Sequence, residues 1–135
     1  MLKLIIGVKG TGKTKNLINL VNTAVENSHG DVVCIEKGTK LRFDVKYTAR
    51  LIDVEEYFVC DAQSLYGFVA GILSSNHDVT DLFIDSALKI CNNDLASFDT
   101  FVEEINALAA KLNVKITITS SIPTEEASET VKKYI

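Results

Sequence analysis

The chain has 135 residues, 47% hydrophobic and 24% charged, so it suffices for one domain with its own core and is too short for two. Its formal net charge of −4 argues against a surface that coats nucleic acid or anionic membrane. No apolar run approaches the roughly 18 residues of a membrane helix, and the short apolar N-terminus is not a signal peptide. The three cysteines lie far apart, which favours reduced thiols. We therefore predict a single domain over residues 1–135 and a cytoplasmic location.

The first part of the chain alternates apolar runs with one amphipathic stretch. A buried strand is predicted over residues 2–6, a helix over 13–27 that Gly30 closes, and a second strand over 31–35. Residues 36–58 favour a small hairpin-like insertion made of two short strands. Strands that alternate with helices are typical of an α/β fold with a mainly parallel sheet.

The second part of the chain continues the same alternation. Its predicted elements are a helix over 61–74 with Asp61 as N-cap, a strand over 82–85, a helix over 94–112, a strand over 114–119 and a short helix after Pro123. Gly67 and Gly71 lie one turn apart, which predicts that this helix packs closely on a neighbour. The last strand alternates polar residues, and this is unusual for a strand in the centre of a parallel sheet.

Residues 7–14, GVKGTGKT, match the phosphate-loop pattern G-x-x-x-x-G-K-[ST]. An apolar strand precedes the loop and an amphipathic helix follows it, which is the context that the motif requires. Glycines let backbone amides approach phosphate oxygens, and the helix N-terminus adds positive potential. The Lys13 ammonium is expected at the β- and γ-phosphates, and the Thr14 hydroxyl on Mg²⁺. The predicted phosphate-binding residues are Gly7, Gly10, Thr11, Gly12, Lys13 and Thr14.

With this loop and the segment Leu82–Asp85, the chain resembles the P-loop nucleoside triphosphatase superfamily. The segment is similar to a Walker B strand, and the resemblance implies that Asp85 holds Mg²⁺ through water. The order of elements resembles the RecA-like branch, and the N-K-x-D motif of guanine-specific proteins is absent. The resemblance implies a three-layer α/β domain that binds ATP, or another purine nucleoside triphosphate, with Mg²⁺. It also implies a γ-phosphate sensor at the end of the last strand, for which Thr119 and Ser120 are candidates beside ordinary strand-end polarity.

The carboxylate that activates water in RecA-like ATPases has no counterpart after Asp85, where the chain has Ser86. Glu36, at the end of the second strand, is a candidate base beside Lys13 in the catalytic set, although a surface carboxylate is the favoured interpretation. The two arginines, Arg42 and Arg50, can serve as fingers only in a partner's site or after loop closure, and surface solvation is favoured for both. We therefore predict a slow or partner-stimulated ATPase.

Three other functions fit the same motifs. They are a non-catalytic nucleotide-binding regulatory module, a small-molecule kinase, and a truncated relative of a motor or secretion ATPase. A kinase usually needs an arginine-rich lid, and two arginines supply little of one. The expected partners are a nucleoside triphosphate and either a protein or a second copy of the chain.

Residues 37–50 hold five of the 14 cations of the chain together with Phe43 and Tyr47. Such a composition suits nucleic acid or a protein partner. A solvated hairpin face beside the acidic remainder is the favoured interpretation, and nucleic acid is the alternative.

Overall fold

The computed structural model describes every residue from Met1 to Ile135. The strands are β1 (Leu2–Ile6), β2 (Asp31–Glu36), β3 (Arg50–Asp53), β4 (Val79–Ile84) and β5 (Lys115–Ser120). The helices are α1 (Lys13–Asn27), α2 (Ala62–Ser75), α3 (Ala87–Ile90), α4 (Leu95–Leu112) and α5 (Glu129–Lys132), with short 3-10 helices at Val54–Tyr57 and Thr124–Glu126. No helix combines the length and apolar character that crossing a membrane requires.

The five strands form one sheet in the order β1-β5-β4-β2-β3, and every neighbouring pair is parallel. Alternate side chains of the central strands enter two cores, because successive residues of a strand face opposite sides. Val33, Ile35, Leu82 and Ile84 join a core of 28 buried residues with α2 and α4. Val32, Cys34 and Phe83 join a smaller core of 8 buried residues with α1. The predicted three-layer α/β architecture is confirmed.

Strand β5 lies between β1 and β4, although its polar alternation is unusual for a central position. Its apolar residues Ile116 and Ile118 enter the larger core, so the polar residues face the opposite side of the sheet. Along that side, exposure decreases from Lys115, which is exposed, through Thr117 to Thr119, which is buried. Thr119 on this side and Ser120 at the end of the strand are both buried, so both polar side chains need hydrogen-bond partners.

The hairpin-like insertion predicted near residues 36–58 is wrong. Residues 37–49 form turns, and β3 pairs with β2 in parallel as an edge strand. Leu41, Val45 and Ala49 are buried four residues apart in the smaller core, so this segment lies against α1 and not in the sheet. A parallel neighbour requires a crossover of about a dozen residues, which this segment provides.

Two glycine predictions are also wrong. Gly30 does not close α1, because the Ser28 amide donates to the Ala24 carbonyl at 2.8 Å while Ser28 itself is extended. Gly30 instead allows close packing: a Cβ there would lie 2.6 Å from Thr80 Cγ2 and closer still to the backbone oxygen of Asp78. Gly67 and Gly71 have open space where a Cβ would stand, so α2 does not pack closely through them.

Candidate functional site

The loop between β1 and α1 presents an uncapped helix N-terminus. Gly10 and Gly12 have φ angles of 88° and 83°, a left-handed conformation that favours glycine. Gly12 immediately precedes the 15-residue helix α1, and no side chain caps that end. The first amides of the helix are therefore free to donate to an anion, and the helix dipole adds to the attraction.

Lys13 folds back over this loop. Its Nζ donates to the Val8 carbonyl oxygen at 2.8 Å and lies 3.5 Å from Thr11 Oγ1. Thr11 Oγ1 donates to the same Val8 carbonyl at 2.8 Å. A phosphate would offer the ammonium a negatively charged acceptor, and the attraction between opposite charges adds to the hydrogen bond that the neutral carbonyl already accepts. Lys13 is thus placed to exchange an internal partner for a bound anion.

Asp85 joins three elements at the carboxyl edge of the sheet. It follows β4 directly, and its amide donates to the Ile35 carbonyl of β2 at 2.8 Å. Its carboxylate accepts from Thr14 Oγ1 at 3.1 Å and from Thr119 Oγ1 at 2.8 Å. A hydroxyl and a carboxylate side by side are hard oxygen donors of the kind that Mg²⁺ uses together with substrate phosphates and water. Thr14 and Asp85 therefore fit the Mg²⁺ that the resemblance to P-loop nucleoside triphosphatases implies.

The two candidate sensors at the end of β5 have different surroundings. Thr119 Oγ1 donates to Asp85 and accepts from the Ser86 amide at 2.8 Å, and Thr119 borders the cleft beside the loop. Ser120 does not line that cleft, and its Oγ accepts from the Leu88 amide at 3.3 Å. Ser86 itself has a left-handed φ of 59°. Thr119 is thus near the site, while Ser120 holds the start of α3.

Glu36 is not a surface carboxylate, because only 3% of it is exposed. Its Oε1 accepts from the Lys40 amide at 3.0 Å, and both carboxylate oxygens lie 3.3 Å from the Leu41 amide. Burial raises the pKa of Glu36, the two amides oppose the shift, and the nearby charges of Asp53 and Asp85 add to it. The raised pKa suits a general base, but Glu36 does not line the cleft above the phosphate loop.

Lysines dominate the cleft of about 480 Å³ above the loop. Its charged lining consists of Lys9, Lys13, Lys15, Lys40, Lys89 and Asp85. Such an excess of positive charge favours a polyanionic ligand. Sequence motifs do not identify Lys40 and Lys89 as part of the cleft lining. Lys40 reaches the cleft from the turns after β2, and Lys89 reaches it from α3.

The two arginines do not line this cleft. Arg42 and Arg50 border a separate cleft of about 170 Å³ beside β3, together with Glu36, Asp53 and Tyr57. The structure therefore brings together Lys13, Thr14, Asp85 and Thr119, and it leaves Glu36 and both candidate fingers outside the lining of the phosphate-loop cleft.

These elements define a three-layer α/β P-loop fold. The same fold is found in a solved KaiC-like protein from the hyperthermophilic archaeon Pyrococcus horikoshii OT3, with a TM-score of 0.72 and 16% sequence identity over 98% of this chain. This chain spans 66% of the length of that protein. No protein-family model and no curated protein matches the chain. At this level of identity the similarity establishes the fold, and the function must be argued from the site.

Proposed function

We propose that the protein binds Mg-ATP and hydrolyses it slowly unless a partner assists. The observation that carries this proposal is the convergence of Lys13, Thr14 and Asp85 on one lysine-lined cleft, at the uncapped N-terminus of α1. Phosphate oxygens would accept from Lys13 and from the backbone amides of the loop. The proposed preference for adenine over guanine rests on the absence of the N-K-x-D motif from the sequence.

Each polar residue has a separate task in this proposal. Thr14 and Asp85 would hold Mg²⁺, which when bound neutralises charge on the β- and γ-phosphates. Thr119 positions Asp85 through its hydrogen bond. Glu36 lines the neighbouring cleft and not the phosphate-loop cleft, so it would take the proton of the attacking water through one intervening water, as the attacking water bonds to phosphorus and the bond to the leaving oxygen breaks. Lys13 alone among these side chains stabilises negative charge on the γ-phosphate, so turnover by the isolated chain is slow.

The second candidate function is a regulatory module that binds Mg-ATP without turnover. The observation that favours it is the placement of Glu36, which is buried, lies outside the lining of the lysine-lined cleft, and is engaged at both carboxylate oxygens by the amides of Lys40 and Leu41. The small-molecule kinase has no comparable support, because no arginine lines the cleft.

Loss of the Lys13 ammonium should remove most of the stabilisation by nucleotide. Mg-ATP at 100 times its dissociation constant is expected to raise the free energy of unfolding of the wild type by about 2.7 kcal/mol. Lys13→Ala should lose most of this gain, measured by chemical denaturation with and without Mg-ATP. Lys111→Ala, which removes an exposed lysine of α4, is the matched control and should keep it. Equal stabilisation of wild type and Lys13→Ala would contradict the proposed phosphate site.

Asp85→Asn should weaken the binding of Mg-ATP more than the binding of metal-free ATP. The substitution removes the negative charge that attracts the cation and keeps the size of the side chain. We expect a loss of about 10–100-fold for Mg-ATP, comparable to the loss of an outer-shell ligand. Calorimetric titrations in Mg²⁺ and in EDTA provide the comparison within one variant. Unchanged metal dependence would leave Asp85 with only its structural bonds to Thr14 and Thr119.

A further inference from the structure

The 37–50 segment, which leads from β2 to the first residue of β3, has a charge opposite to that of the whole chain. It holds five cations and one acid, while the chain has a net charge of −4. Lys46 forms an ion pair with Glu26. The other cations of the segment, Lys37, Lys40, Arg42 and Arg50, have no ion-pair partner although acids outnumber cations in the chain. The segment is therefore a local source of positive potential, although Glu36, Asp53 and Glu56 line the same cleft as Arg42 and Arg50.

Two aromatic rings extend from this segment into solvent. Phe43 is 86% exposed and Tyr47 is 95% exposed. The Arg42 guanidinium carbon lies 4.8 Å from the centroid of the Phe43 ring. A single exposed apolar residue is ordinary, but two exposed rings flanked along the chain by the unpaired Arg42 and Arg50 form a surface that the core does not explain. The buried residues of the segment, Leu41, Val45 and Ala49, account for its packing.

The backbone beneath these rings is fixed by side chains from two other elements. Asn22 of α1 donates through Nδ2 to the Asp44 carbonyl and accepts through Oδ1 from the Lys46 amide, both at 2.9 Å. Glu36 of β2 accepts from the Lys40 amide at 3.0 Å. The rings therefore stand on a fixed backbone, and a ligand that contacts them pays little entropy for ordering the segment.

We infer that this surface binds single-stranded nucleic acid. The proposed contact residues, called here the basic aromatic face, are Lys37, Arg42, Phe43, Tyr47 and Arg50. Lys40 is left out because it lines the phosphate-loop cleft. Unpaired bases stack on aromatic side chains without sequence preference, and neighbouring cations contact the phosphates. An acidic peptide would satisfy the cations and leave the rings without partners, so the combination favours nucleic acid. This function goes beyond ATP binding and does not depend on it.

Fluorescence anisotropy with labelled oligo-dT and oligo-rU of about 16 nucleotides tests the inference on the full chain. We expect a dissociation constant of about 10⁻⁶–10⁻⁴ M at physiological salt, as for other non-specific binding. Phe43→Leu and Tyr47→Leu keep apolar bulk and remove the ring, so each should weaken binding about fivefold or more. Phe43→Tyr keeps the ring and should keep the affinity. Because both side chains are exposed, all three variants should fold, and circular dichroism checks this.

The salt dependence tests the role of the cations. Arg42→Gln and Lys37→Gln should each reduce the slope of log K against log salt by about 0.7. Lys111→Gln removes an exposed lysine of α4 and should leave the slope unchanged.

Four results would overturn the inference. The first is no binding of either oligonucleotide at about 10⁻⁴ M protein in low salt. The second is equal binding of polyglutamate together with unchanged affinity in both Leu variants, which would indicate an acidic protein partner. The third is tighter binding to anionic vesicles than to oligonucleotide. The fourth is a Phe43→Leu variant that loses stabilisation by Mg-ATP and keeps oligonucleotide binding, because the ring would then contact the nucleotide.

Discussion

Glu36→Gln should lower the rate of ATP hydrolysis by about 10²–10⁴-fold, the usual contribution of a general base, and leave Mg-ATP binding nearly unchanged. The Gln oxygen can still accept from the Lys40 amide, so the turn after β2 keeps its main hydrogen bond. What the substitution removes is the ability to take a proton from water. Because burial raises the pKa of Glu36 above its ordinary value of 4.5, the rate should also fall as the pH drops through that raised value.

A phosphate-release assay on purified protein measures this effect. The wild-type rate should lie far below the roughly 1–100 per second of kinases, because no arginine reaches the phosphate-loop cleft. Lys13→Ala controls for contaminating ATPases, and Glu56→Gln controls for loss of an exposed carboxylate. A rate that depends on Lys13 but not on Glu36 would identify another base. If no rate depends on Lys13 while Mg-ATP still binds, the regulatory module is the better description.

Local chemistry made much of the site predictable. The phosphate loop, the strand before it and the helix after it occupy one contiguous stretch, so their residue types carry the information directly. Helix α2 was similarly predictable from its N-cap: Asp61 Oδ1 accepts from the Ser64 amide at 2.8 Å, and Ser64 Oγ accepts from the Asp61 amide at 3.1 Å. Such hydrogen bonds span three residues and need no knowledge of the fold.

The surroundings of Glu36 were not predictable in this way. Glu36 is buried because the turn after β2 folds back over it, and that turn is held by α1 through Asn22. The same turn replaces the expected hairpin and places β3 parallel to β2. A hydrophobic spacing of four residues over a short segment does not specify which neighbouring element will cover it. Sequence patterns therefore predicted the residue types of the site better than the contacts that determine their chemistry.

The glycines show the same limit, because sequence patterns do not report what surrounds each of them in the fold. Two substitutions test this, and they should change the free energy of unfolding in opposite directions. Gly30→Val should lower the free energy of unfolding by about 3 kcal/mol, at the upper end of typical overpacking. A Cβ at Gly30 would overlap the Asp78 carbonyl oxygen and lie 2.6 Å from Thr80 Cγ2, and a backbone oxygen paired with the Asp31 amide at 2.8 Å cannot easily move. Gly67 lies within α2, where a Cβ would meet nothing within 4 Å.

Gly67→Ala should therefore raise the free energy of unfolding by about 0.5–1 kcal/mol, because alanine loses less backbone entropy in a helix. Urea denaturation without nucleotide measures both variants against the wild type, and unchanged m-values would confirm that the denatured state is the same. A neutral Gly30→Val would mean that the connection between α1 and β2 can move away from Asp78. A destabilising Gly67→Ala would mean that a neighbour approaches α2 more closely than its open surface indicates. The expected direction of each change in stability follows from the atoms that surround the glycine in the fold. The spacing of glycines along the sequence does not report those surroundings.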